Sequence, residues 1–111
     1  MSTVETLPEG DHTLLLVDDD KAFLTRLERA MEKRGFEVRI ADTVATGLSA
    51  VDAAPPAYAV VDLRLEDGNG LDVVDALHKR RPDARAVVLT GPRKAPSPGL
   101  LRNPTSPPRE R

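Results

Sequence analysis

One short stretch constrains this chain more than any other. Leu14-Leu15-Leu16-Val17 is an apolar run that stops abruptly at Asp18-Asp19-Asp20. A run of that length, bounded by polar residues, is the pattern of a strand buried on both faces, as in a parallel sheet covered by helices. An open α/β sheet collects its chemistry beyond the carboxyl ends of its strands. Two further runs end in the same way, Tyr58-Ala59-Val60-Val61 at Asp62 and Ala86-Val87-Val88-Leu89 at Thr90. If the three are parallel neighbours, Asp18, Asp19, Asp62 and Thr90 meet at one rim of one sheet.

The segments between these runs read as helices. Asp20 is placed to cap a first helix, in which Phe23, Leu24, Leu27, Ala30 and Met31 recur at helical spacing as far as Arg34, with Gly35 closing it. Glu37-Val38-Arg39-Ile40 alternates like a short strand. Thr43 then caps a second helix that turns Val44, Leu48 and Val51 inward, and Pro55-Pro56 prevents its continuation. After the run ending at Asp62, Leu63 to Gly70 reads as a turn-rich loop. Asp67 and Asn69 serve the turn there, and Gly68 and Gly70 supply positive φ. A third helix turns Leu71, Val74 and Leu77 inward and stops before Pro82. Strands alternating with helices of about ten residues indicate βαβ units, hence a parallel sheet with right-handed crossovers.

At 111 residues the chain is one domain at most. A net charge of −2 offers no whole-chain case for nucleic-acid binding, and the absence of cysteine excludes disulfides and thiolate metal sites. No apolar stretch approaches the ~20 residues that span a bilayer. The N-terminus lacks the basic and apolar regions of a signal peptide, so the expected location is cytoplasmic with no membrane partner. Composition divides the chain into a flexible lead-in over 1–12, a folded unit over 13–91, and a Pro/Arg-rich tail over 92–111 expected to be disordered. That tail carries six of the ten prolines.

Carboxylates crowded at one rim repel one another, and a hard divalent cation relieves that repulsion. Mg2+ typically takes one or two carboxylates, a carbonyl and waters. Asp19 and Asp62 would be its direct ligands, with the backbone carbonyl of Arg64 in reach two residues on and Asp18 holding a ligated water. Such an ion suits a phosphoryl group, an aspartate can itself be the nucleophile that forms an acyl phosphate, and Thr90 offers a hydroxyl to phosphoryl oxygens. The other polar residues take plainer readings. Asp72 and Asp75 lie on a solvated helix face, His12 and His78 are surface histidines, and Lys79-Arg80-Arg81 is a solvated helix end.

These residues resemble the receiver domain of two-component response regulators. That family has an acidic pair after strand one, a phosphoaccepting Asp after strand three, and a Thr or Ser after strand four. Those features map onto Asp18-Asp19, Asp62 and Thr90. The stretch from Asp62 to Leu71 is similar to the RegA/PrrA/ActR group of redox-responsive regulators, in which a receiver precedes a Fis-like helix-turn-helix domain. The resemblance implies an α/β, flavodoxin-like (CheY-like) doubly wound sheet. It implies Mg2+ at Asp18, Asp19, Asp62 and the Arg64 carbonyl, and a phosphoryl group accepted on Asp62 from a sensor histidine kinase. A phosphoacceptor of this kind catalyses only its own phosphorylation and dephosphorylation.

Family receivers continue with helix four, a strand five carrying Lys-Pro, and helix five, none of which is legible after Thr90. The fold is therefore expected to be incomplete, Lys94 is not assigned the lysine's role, and no DNA-binding domain is expected in this chain. An uncovered fourth strand is an invitation to self-association and lower stability. The alternative function is a chain that is not phosphorylated and only binds the kinase or a partner regulator. A third reading, a haloacid-dehalogenase-type phosphohydrolase built on Asp18 and Asp20, is disfavoured, since Ala22 stands where that motif wants Thr or Val and its later Lys and acidic motif are missing.

Overall fold

A computed structural model of the chain describes residues 10–90. In chain order these form β1 (Thr13–Val17), α1 (Lys21–Lys33), β2 (Glu37–Ala41), α2 (Val44–Ala53), β3 (Tyr58–Asp62), β4 (Arg64–Leu65), β5 (Gly68–Asn69), α3 (Leu71–Arg80) and β6 (Arg85–Leu89). The main sheet is four-stranded and parallel, in the order β2-β1-β3-β6. The stretch in which family receivers place helix four, strand five and helix five, expected to be missing here, and the tail over 92–111, expected to be disordered, lie outside the described residues.

Side-chain alternation along β1 splits the core in two. Leu14 and Leu16 face α1, where they join Leu24 and the half-buried Leu27, Met31, Phe36, Val38, Tyr58 and Val60. Leu15 and Val17 face the other way, into a larger cluster with Val44 and Val51 of α2 and Val73 and Leu77 of α3. Among the described residues, one helix thus covers one face and two cover the other. On the α1 face, Ile40, Leu16, Val60 and Val87 form a row across the four strands. Leu16 at its centre is 1% exposed, while Ile40 and Val87 on the edge strands are 46% and 57% exposed.

The helices begin and end where local chemistry requires. Asp20 caps α1 by accepting from the Phe23 N–H at 3.0 Å. At the other end Gly35, at φ 99°, donates to the Glu32 carbonyl while Phe36 donates to that of Met31, a Schellman closure. Thr43 and Thr46 form a reciprocal capping box at the start of α2. Arg39, reaching from β2, donates to the carbonyls of Ala50 and Ala54 at the helix's other end.

Three expectations about burial and backbone are corrected. Leu48 and Leu71 are exposed rather than inward. Gly47 provides the reason: a Cβ built there would lie 3.1 Å from the Val73 side chain, so α3 seats Val73 in the notch left by the bare glycine. That rotation turns Val73 and Leu77 into the core and leaves Leu71 outside. Gly70 is right-handed, at φ −61°, rather than positive. It is glycine because a Cβ would collide with the backbone carbonyl of Asp62 and lie 2.7 Å from Val61. Positive φ does hold at Gly68, at 153°. The turn-rich loop between β3 and α3 contains a small antiparallel hairpin, with Arg64 opposite Asn69 and Leu65 opposite Gly68.

Asp11 and His12, read from sequence as part of the lead-in, are tied to the fold. Asp11 accepts from the Thr13 hydroxyl at 2.7 Å and from Arg81 at 2.8 Å, and the His12 carbonyl accepts from Glu37. The His12 ring meets Phe36 edge-on, and Phe36 meets Tyr58 likewise. The Thr13 hydroxyl, the Arg81 guanidinium and the Thr13 N–H hold the Asp11 carboxyl at about 2, below its ordinary 3.8. A lowered folded-state value means that Asp11 stabilises the fold above pH ~4 and that this contribution disappears as pH falls toward 2. Acid titration followed by circular dichroism should therefore show a shallower loss of stability over that window in Asp11→Asn than in the wild type. Gly70→Ala should destabilise the fold by about 1–3 kcal/mol in urea unfolding, as overpacking at a closed backbone contact does.

Candidate functional site

The parallel register of β1 and β3 builds the rim. Val17 stands beside Val61, so the next residue of each strand, Asp18 and Asp62, emerges at the same level. Carboxylate oxygens of Asp18, Asp19 and Asp62 lie within 4.8 Å of one another. Asp18 is 1% exposed and Asp62 3%, with Asp19 half-buried. Burying charged groups is costly unless they are hydrogen-bonded or neutralised, so a trio this close needs structural support.

Part of that support comes from the backbone. The Asp18 N–H donates to the Ala41 carbonyl at 3.1 Å, which ties the end of β1 to the end of β2. The Asp18 carboxylate accepts from the Asp20 N–H at 2.9 Å, holding the turn in which Asp19 sits. Asp20 faces away from the trio in function, since its carboxylate caps α1. The sequence reading of three consecutive aspartates thus resolves into two rim residues and one helix cap.

The remaining predicted residues occupy the same end of the sheet. Thr90 directly follows Leu89, the register partner of Asp62, and is exposed. Arg64 begins the β4–β5 hairpin two residues after Asp62, and it too is exposed. The loop between is fastened at its base: Leu63 donates to the Leu89 carbonyl at 2.9 Å and Gly70 to the Leu63 carbonyl at 2.8 Å. The structure therefore brings Asp18, Asp19 and Asp62 into one group and sets Thr90 and Arg64 on the segments flanking Asp62.

One functional candidate escaped the sequence reading. Asp67, whose sequence context is that of a turn residue, accepts from the N–H groups of Val44 at 2.7 Å and Ala45 at 3.1 Å, at the start of α2. Those two donors hold its carboxyl below the ordinary value. An Asp-Gly pair in a loop looks the same whether its carboxylate turns back on its own loop or reaches a distant helix, so no local signal could have found it.

The chemistry of the donor set is that of a hard cation site. Three carboxylates with oxygens this close form an all-oxygen group, and oxygen is what Mg2+ and Ca2+ select. The residues present fit such an ion.

Comparison with known proteins agrees with this architecture. The response regulator receiver domain family matches residues 14–98. The chain is 70% identical over 82 residues to the photosynthetic apparatus regulatory protein RegA of Rhodobacter capsulatus, a match covering 74% of this chain and 45% of RegA. It is 59% identical over 81 residues to the acid tolerance regulatory protein ActR of Rhizobium meliloti, covering 73% of this chain and 42% of ActR. The chain thus spans less than half the length of these relatives. Among solved structures, a response regulator from Burkholderia pseudomallei, crystallised with a phosphorylated aspartic acid, calcium ion and citrate, superposes with a TM-score of 0.69 at 36% identity. That match covers 74% of this chain and 48% of the other. A CheY-like receiver domain from Methanospirillum hungatei gives the same TM-score at 32% identity, over 75% of this chain and 66% of that one. With its parallel sheet, its acidic rim and these relatives, the chain belongs to the response regulator receiver family of two-component signalling, alongside the RegA and ActR regulators.

Proposed function

We propose that this chain accepts a phosphoryl group on Asp62 from the phosphohistidine of a sensor histidine kinase, with Mg2+ at the acidic rim. The observation that carries the reading is the grouping of Asp18, Asp19 and Asp62, with their oxygens within 4.8 Å and two of the three buried. In the transfer, a carboxylate oxygen of Asp62 forms a bond to phosphorus as the phosphorus–nitrogen bond breaks. The electron pair of that bond leaves with the imidazole nitrogen, and the product is an acyl phosphate. Asp19, Asp62 and the Arg64 carbonyl would hold Mg2+, and Asp18 would orient a water on it. When bound, the ion neutralises charge on the phosphoryl oxygens. Thr90 offers its hydroxyl to one of those oxygens from the neighbouring strand end.

The alternative, a chain that binds a kinase or partner regulator without being phosphorylated, is separated by one experiment. Incubation with acetyl phosphate and Mg2+ should add the mass of one phosphoryl group to the intact protein. Asp62→Asn, or prior chelation of Mg2+, should abolish the addition. A wild-type mass that stays unchanged, with kinase capture equally unaffected by Asp62→Asn, would favour the binding-only reading.

A second property follows from the edge of the sheet. Among the described residues β6 is an outermost strand, and it carries Val87 at 57% exposure on the thinly covered α1 face. Open edges with apolar side chains pair readily with another chain. We propose self-association through β6. Sedimentation should show a concentration-dependent dimer, and Val87→Lys should shift it toward monomer. A wild type that stays monomeric at high concentration would count against it.

A further inference from the structure

We infer that Asp67 is a positioning residue for the acidic rim: clamped on the start of α2, it holds the β4–β5 hairpin, and with it the Arg64 backbone carbonyl, in place beside Asp62. This rests on the phosphoacceptor reading above, in which that carbonyl is an ion ligand.

The argument begins with helix ends. The first N–H groups of an α-helix have no partner within the helix. In α2, Thr46 donates to the Thr43 hydroxyl at 3.0 Å and Gly47 to the Thr43 carbonyl at 3.0 Å. Local capping therefore takes care of the third donor, and the Gly47 bond is the helix's own first i→i−4 bond. The first two, from Val44 and Ala45, go instead to the two carboxylate oxygens of Asp67, 23 and 22 residues further along the chain. A carboxylate at the positive end of a helix, accepting two charge-assisted hydrogen bonds, is a directional fastening.

The other end of the fastening is the short segment that follows Asp62. Its base is pinned by the Leu63-to-Leu89 and Gly70-to-Leu63 hydrogen bonds, and Leu65 is 8% exposed in the core. The hairpin itself has only two residue pairs, far too few to be stable alone. Arg64 and Glu66 are exposed, and Gly68 makes the turn at φ 153°. Asp67 ties the far end of this loop to the start of α2 by hydrogen bonds. Arg64 lies between the pinned Leu63 and the buried Leu65, opposite Asn69 in the hairpin, so the Asp67 fastening acts on its carbonyl through the hairpin as a whole. Partners that orient a metal ligand commonly contribute about 10–100-fold in affinity without touching the ion.

The test compares two ways of weakening the start of α2 in the full chain. Asp67→Ala releases the hairpin, whereas Thr43→Ala removes the helix's own cap and leaves the hairpin attached. Mg2+ binding is measured by calorimetric titration, thermal melting is followed in parallel, and amide exchange is recorded on the metal-free proteins. Asp67→Ala should weaken Mg2+ binding roughly tenfold or more and speed exchange at Val44 and Ala45. Asp67→Asn, which keeps one side-chain acceptor, should fall between it and the wild type. Thr43→Ala should lower the melting temperature with Mg2+ affinity unchanged. The inference is overturned if Asp67→Ala or Asp67→Asn binds Mg2+ as the wild type does, or if Thr43→Ala weakens it equally. A wild type that binds no Mg2+ would instead remove the ion reading itself, and this inference with it.

Discussion

Two buried carboxylates placed beside a third are the constraint on which this molecule is arranged. Asp18 and Asp62 are almost fully withdrawn from solvent, and like charges in that position are tolerated only where the surroundings hold them. The pairing of β1 with β3 fixes them at one level, and the β1–β2 pairing extends through the Asp18-to-Ala41 hydrogen bond to steady the same turn. The apolar strands below supply the rigidity. Leu15 and Val61 are completely buried, so the strand ends that carry the acids have no slack to separate. The acidic rim is carried by strands whose side chains are packed in the core.

Long-range capping is the second theme. Both ends of α2 are closed by side chains from elsewhere: Asp67 at its start, and Arg39 at its end. Each carries the charge that the helix dipole favours there. The helix thereby becomes a strut between the hairpin that follows Asp62 and the second strand of the sheet. Gly47 lets α3 press against the same helix, and Val73 fills the notch. The loop after Asp62 is thus coupled to a packed layer instead of hanging from the sheet.

The two faces of the sheet are unequal. Among the described residues, the face bearing α2 and α3 encloses most of the buried side chains, whereas α1 alone covers the other. The consequence is visible in one row of residues, where burial is complete at Leu16 and lost at Ile40 and Val87. A single helix about 10 Å across cannot shield four strands spaced about 4.8 Å apart. Among the described residues, the exposure of Val87 on β6 follows from that geometry.

Much of this was legible in the chain itself. Apolar runs ending at Asp18, Asp62 and Thr90, separated by helical periodicity, determine a parallel α/β sheet with an acidic rim, because burial on both faces leaves an unmistakable uninterrupted pattern. Asp20, Gly35 and Thr43 announced their caps, since capping depends on neighbours within a few residues. Helix rotation was not legible. Leu48 and Leu71 have the hydrophobicity of core residues, yet the inward direction was decided by the Gly47 notch on one helix meeting Val73 on another. Gly70 likewise looked like a turn glycine, and only the nearness of the Asp62 carbonyl reveals why no side chain fits. Asp67 is the same lesson at the level of function. Sequence determines interactions that close over a few residues or repeat with a fixed period. Contacts between segments far apart in the chain exist only once packing has brought them together, and tertiary structure alone decides those.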